Sequence, residues 1–405
     1  MRIYLDYAAA TPARPEVLSA MQPYFADDFA NASAIHAEGQ KARAALRAAR
    51  ATIAKLLKIR AEEVTFTSGG TEGNNLAIFG VVDAAIAQGF ALRDLEIITT
   101  MIEHPSVLEA LDALEKRGIG VRRAPVTEEG RIDANAFREL LSPKTLLVTF
   151  AYVNSEIGVI EDVKRIVRTV REYERKYEEG DERKSGAERR IFVHLDASQA
   201  PLWLPIAMDA LGVDLMTLDA GKCYGPKGVG VLAHRRHVPI RSQSFGGDQE
   251  GGLRAGTENV PLIVGCAEAL RIAQESHEKR ADEVGALRDL FFTELQRVIP
   301  HVLINGSREH RVANNCNISI PGVDGEFAVV TLDAHGIAAS TRSACAGNQE
   351  GGSHVVAAIT GDKERAHNTI RFTLGEETTE EDLRRTVKIL SEHVAETKSL
   401  SQFST

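Results

Sequence analysis

The feature that most constrains this chain is a regular alternation of short β-rich runs with longer helical stretches. The runs are Glu63–Thr67 (EVTFT), Glu96–Thr100 (EIITT), Thr145–Phe150 (TLLVTF), Ile191–Leu195 (IFVHL), Leu215–Leu218 and Gly228–Ala233. Helical patterns lie between them or precede them, over Ala37–Leu57, Gly73–Gln88, Pro105–Arg117 and Ile160–Tyr177. Strands that alternate with helices predict an α/β domain with a mostly parallel sheet. A ligand is then expected at the loops that leave the carboxyl ends of the strands.

From about Pro261 the pattern changes. One long helical segment runs through EALRIAQESHEKRADEVGALRDLFFTELQRV, followed by NNCNISI, a mixed region, IRFTL and a last helix near Glu380–Glu396. A smaller α+β domain is predicted, built from residues 1–12 and 261–405, with 13–260 forming the large domain. At 405 residues the chain is longer than one core usually serves. The stretch 172–190 (EYERKYEEGDERKSGAERR) is nearly all charge and reads as a solvated helix end and surface loop.

Composition narrows the function classes. A net charge of -9 argues against a chain-wide electrostatic grip on nucleic acid or anionic membrane. No run approaches the roughly 18 apolar residues that a membrane span needs, and MRIYLDYAAATPARP does not read as a leader, so a cytoplasmic location is expected. The cysteines, Cys223, Cys266, Cys316 and Cys345, form no CxxC pair. Neither a disulfide framework nor a metal site is expected, while a working thiol stays open.

Three elements carry candidate chemistry. Ser68-Gly69-Gly70-Thr71-Glu72-Gly73-Asn74-Asn75 follows a strand and opens a helix, so its glycines and free amides suit a phosphate; an ordinary tight turn has the same pattern. In HLDASQA (194–200), Asp196 ends an apolar run, where a carboxylate can keep a ring nitrogen protonated or cap a helix. Lys222, in Asp219-Ala220-Gly221-Lys222-Cys223-Tyr224-Gly225-Pro226-Lys227-Gly228, lies among small residues after a strand. Partial desolvation there would free its amine for covalent chemistry, whereas an isolated lysine is usually a solvated charge. His104, after EIITT, could stack on a ring or cap the helix that follows.

Phosphate loop, acid after a strand and lysine after the next strand resemble, in that order, the layout of fold-type I pyridoxal-phosphate enzymes. The chain resembles, nearly end to end, the cysteine desulfurases of class V of the aminotransferase superfamily. The likeness rests on YLDYAAATP, TSGGTEGNN, Glu103-His104, VNSEIGVI (153–160), HLDASQ, KCYGPKG, GLRAGTEN (252–259), SACAG (343–347) and IRFTLG (370–375). It implies a seven-stranded, mostly parallel sheet flanked by helices, the smaller domain beside it, and pyridoxal 5'-phosphate as cofactor. Lys222 would hold the cofactor covalently, His104 would stack on its ring and Asp196 would pair with the ring nitrogen. Asn154 and Gln199 would bond the ring oxygen, and Gly70 with Thr71 would hold the phosphate. Thr257 would reach the cofactor of a second subunit, which implies a homodimer. Arg371 would clamp the carboxylate of L-cysteine. Cys345, between the small residues Ser343, Ala344, Ala346 and Gly347 and a GNQEGG loop that reads as mobile and exposed, would take the sulfur as a persulfide. A sulfur-acceptor protein of iron–sulfur assembly or tRNA thiolation would receive it. A lyase acting on selenocysteine, or a partner-binding scaffold without chemistry, are the alternatives.

One departure stands out. Family members usually carry a histidine just before the lysine and a serine two positions before that histidine; here Gly221 and Asp219 stand there. An ionised Asp219 would repel the phosphate, so weaker cofactor binding is expected.

Overall fold

The computed structural model describes residues 2–179, 190–341 and 352–402. Its strands are β1 (Ile3–Tyr4), β2 (Val64–Thr67), β3 (Glu96–Thr100), β4 (Gly120–Ala124), β5 (Thr145–Ala151), β6 (Phe192–Asp196), β7 (Leu215–Asp219), β8 (Gly230–His234), β9 (Leu303–Ile304), β10 (Asn315–Ser319), β11 (Ile337–Ala338) and β12 (Thr369–Thr373). Seven of them form the main sheet in the order β2-β8-β7-β6-β5-β3-β4. β8 runs antiparallel to β2 and β7, and the remaining pairs are parallel. The carboxyl ends of β2, β3, β5, β6 and β7 therefore emerge at one edge, where the three chemical elements meet.

The residue runs that predict strands find six of the seven. β4, with sequence GVRRA, is an edge strand that is only half buried along most of its length, and its arginines hide it from a search for apolar runs. Arg122 and Arg123 reach back to Glu96, Asp112 and Glu115, so this edge is charged, a usual guard against edge-to-edge association.

Helix Ala37–Leu57 begins at His36, whose side chain accepts from the Gly39 amide, and ends at Lys58 in the left-handed region (φ 56°). Ala42, Leu46, Ala49, Ile53 and Leu57 recur at helical spacing, and that buried stripe packs on helix Val260–Glu275. Helix Gly70–Ala87 is buried on most sides, between the sheet and helix Pro105–Lys116.

The long helical segment expected after Pro261 is instead two helices, Val260–Glu275 and His277–Val298, broken at Ser276 (φ -130°, ψ 18°). The buried Arg280 side chain stabilises the break by donating to Ser276 Oγ and to the carbonyls of Ala273 and Leu202. The bond to Leu202, 78 residues away, leaves no local sign in an amphipathic pattern. Beyond it, β9, β10 and β12 form a three-stranded antiparallel sheet, against which His277–Val298 packs; Gly325–Ala334 packs on β12 and helix Glu380–Gln402 on both helices. The N-terminus joins this region: β1 pairs with β11, and Leu5 exchanges backbone bonds with Ala338 and Thr373.

The charged stretch is also less solvated than its composition suggests. Glu174 accepts from Arg171 and from the Ile191 amide, while Arg171 and Arg190 both pair with buried Asp214. These bonds hold the described flanks of 180–189 against the sheet.

Candidate active site

Gly70, Thr71, His104, Asn154, Asp196, Gln199, Lys222 and Arg371 line a single pocket at the carboxyl edge of the sheet, together with Ala8, Ala9, Asn74, Ser106, Ser198 and Asp219. Most of them arrive from the strand exits of the large sheet, and Arg371 comes from β12. β2 feeds the turn at Gly69 (φ 151°), which opens the helix at Gly70. A Cβ on Gly70 would lie 3.0 Å from Ser198 Oγ, so backbone alone fits that floor.

Asp196 closes β6. Its Oδ1 accepts from the Ser198 amide (3.0 Å) and hydroxyl (2.6 Å), and its Oδ2 accepts from Asn74 Nδ2 (2.8 Å). No helix starts there, so the carboxylate is not a helix cap. Donors to both oxygens fix its direction. Asn74 Oδ1 is buried without a partner among the described residues.

Of the two roles its position allows, His104 shows the helix cap. It caps helix Pro105–Lys116, with Nδ1 accepting from the Ser106 amide at 3.1 Å, and it lines the pocket. Burial lowers its pKa below the usual imidazole value. The ring is therefore neutral near pH 7, and with Nδ1 accepting, its proton sits on Nε2.

Asn154 is fixed by its own turn: Oδ1 accepts from Glu156 and Ile157, and Nδ2 donates to the Ile102 carbonyl. One amide hydrogen is left for a ligand. Gln199 donates to the Ala8 carbonyl (2.9 Å), and Lys222 Nζ to the Ala9 carbonyl (2.5 Å). Lys227 donates to the Thr11 carbonyl.

Arg371, on β12, is 1% exposed. One terminal nitrogen donates to the Ser155 carbonyl (2.9 Å) and the other to Asp6 Oδ1 (2.8 Å), while Nε has no partner among the described residues. An unpartnered buried donor in a pocket points to an acceptor supplied by a ligand.

Two predicted residues lie apart. Thr257 is exposed and does not line this pocket. Cys345 falls outside the described residues. Its flanks are anchored beside the site: Ser340 exchanges backbone bonds with Arg371, Ser353 Oγ donates to Glu156 (2.5 Å), and His354 Nε2 lies 3.2 Å from the Glu103 carbonyl. Cys223, Cys266 and Cys316 are buried, and burial raises all three thiol pKa values, that of Cys316 to about 12.

Sequence reading overlooked Asn74, Ser106, Ser198 and Asp6. Asn74 stands one helical turn after Gly70, so its placement could have been inferred from the periodicity. The Asp6–Arg371 pair joins the two ends of the chain and has no local signal.

The pocket offers an amine, a carboxylate at a strand end, a neutral imidazole and a buried guanidinium. That is the equipment of a fold-type I pyridoxal-phosphate enzyme, and its ring and carboxylate ends fit such a cofactor and an amino acid. The class V aminotransferase family model matches residues 3–386. A protein named cysteine desulfurase IscS from Dictyoglomus turgidum is 40% identical over 401 residues, covering 99% of this chain and 96% of that one. One of the same name from Clostridium botulinum is 35% identical over 402 residues, covering 99% and 96%. A solved NifS-like protein superposes with a TM-score of 0.87 at 32% identity, covering 98% of this chain and all of the other. The chain belongs to the class V aminotransferase family, among its pyridoxal-phosphate-dependent cysteine desulfurases.

Proposed function

We propose that this enzyme converts L-cysteine to L-alanine and keeps the sulfur on Cys345 as a persulfide. The observation that carries the reading is the convergence of Lys222, Asp196, His104 and Arg371 on one pocket. When bound, pyridoxal phosphate supplies an electron sink for the carbon skeleton of the amino acid.

The chain's own residues then have distinct tasks. Lys222 holds the cofactor and can carry a proton at Nζ. Asp196, tied by Ser198 and Asn74, would keep the ring nitrogen protonated. Neutral His104 would stack on the ring, and Asn154 and Gln199 would bond the ring oxygen. Arg371 receives the substrate carboxylate through the donors that Asp6 and Ser155 leave open. Thr71 and the Gly70 amide lie at the phosphate end.

Sulfur transfer needs a thiolate. The three buried cysteines are held protonated, which leaves Cys345, whose flanks meet the pocket at Arg371 and Glu156. Its sulfur bonds the substrate sulfur, the carbon–sulfur bond breaks, and alanine leaves with the proton that the thiol gave up. A protein acceptor then takes the persulfide sulfur for iron–sulfur cluster assembly or tRNA thiolation.

The exposed Thr257 supports a homodimer in which it reaches the second subunit's cofactor. A cytoplasmic location and a division into 13–260 and 1–12 with 261–405 complete the proposal. No described helix is long and apolar enough to cross a membrane.

Alanine release from L-cysteine, measured with reductant and added cofactor, tests the reading. Turnover should vanish in Cys345→Ala while the visible cofactor band persists, and the band itself should vanish in Lys222→Ala. Full turnover by Cys345→Ala would place the sulfur elsewhere.

A further inference from the structure

The phosphate end of the pocket holds a carboxylate of the protein itself. Asp219 Oδ2 accepts from the Gly70 amide (3.1 Å), the first residue of an 18-residue helix, and Oδ1 accepts from the Gly221 amide (2.8 Å). Asp219 thereby bridges the turn after β2 and the turn after β7. A Cβ built on Gly69 or Gly70 would lie 3.4–3.5 Å from Oδ2, so the carboxylate rests against the glycine loop. Helix-start amides of this kind are suited to anions, and here one of them already has one.

We propose that Asp219 is a resident occupant of the phosphate subsite, so that the pocket draws little affinity from phosphate and accepts unphosphorylated pyridoxal nearly as well as pyridoxal phosphate. The inference rests on the cofactor reading above. A phosphate on the Gly70 amide must displace Asp219 from it and then stand beside a like charge. Lys227 donates to the Thr11 carbonyl and Arg254 pairs with Glu72, so both of these cations are engaged elsewhere. The ring end is untouched, because Asp196, His104 and Lys222 meet parts that both aldehydes share.

The full-length chain, freed of cofactor, is titrated with pyridoxal phosphate and with pyridoxal, following the visible band. Lys222 bonds both aldehydes alike, so its contribution cancels in the ratio of dissociation constants. The wild type should prefer the phosphorylated form by no more than about tenfold, or 1.4 kcal/mol. Asp219→Ser should raise that preference at least another tenfold and leave the pyridoxal constant within about twofold, which also reports an intact fold. Asp219→Asn, which keeps the shape and removes the charge, should move the same way. A thousandfold phosphate preference in the wild type, unchanged in both variants, overturns the role of Asp219 alone. A chain that binds neither aldehyde overturns the cofactor reading and this inference with it.

Discussion

Glu103 precedes His104 and is the most perturbed carboxyl group near the site. It is 3% exposed, Thr100 donates to its Oε1 at 2.6 Å, and Oε2 has no partner among the described residues. Beside it lies a small cavity shared with Asn154 and Glu161. Burial pushes its pKa from 4.5 to about 8, with nearby Asp196 and Glu161 adding in the same direction. The folded chain therefore holds this proton more tightly than the unfolded one. The stability it confers is complete below the unfolded pKa and is lost as the pH rises through about 8. From those two pKa values the loss between about pH 5 and pH 9 is about 4 kcal/mol. Glu103→Gln keeps the size and an acceptor for Thr100 but cannot ionise. Urea unfolding of the full-length chain, followed by circular dichroism across that range, should show the variant losing markedly less stability than the wild type. Parallel pH profiles for the two proteins would refute the reasoning, because they would mean that Glu103 ionises without cost.

Two further outcomes follow from close contacts. Asp6→Asn keeps an acceptor for Arg371 but removes the countercharge, so the KM for L-cysteine should fall several-fold, about 1 kcal/mol, with kcat little changed; steady-state kinetics giving a higher KM would show that the charge of Asp6 is needed to aim the guanidinium. Gly375→Ala places a Cβ 2.1 Å from the ring of Tyr7, which also packs on Tyr224, and should cost about 3 kcal/mol or more, read as a fall in Tm; an unchanged Tm would mean that the Tyr7 ring has room to move.

Much of the site was legible because its residues follow strands. Gly70, Asp196 and Lys222 each stand at or just beyond an apolar run, and strand exits in a parallel sheet converge on one edge. His104 was legible as a ring-stacking residue or a helix cap; the three-dimensional arrangement makes it a cap that also lines the pocket. Edge strand β4 was missed because a strand with one neighbour and two half-buried, ion-paired arginines lacks the apolar run that marks buried strands. The helix break at Ser276 was missed because its cause is a buried arginine reaching carbonyls near and far in the chain.

Local order along the chain thus determined the element types, the large sheet and the residues carried at its carboxyl edge, since periodicity and strand-end position are properties of neighbouring residues. Contacts between distant segments had to be decided by the tertiary structure. Asp6 fixes Arg371 from the opposite end of the chain, Asn74 orients Asp196 across the pocket, and Asp219 takes the Gly70 amide from another strand. Hydrogen bonds and charge pairs act over about 3 Å of space whatever the distance in sequence, so they depend on how the chain closes on itself.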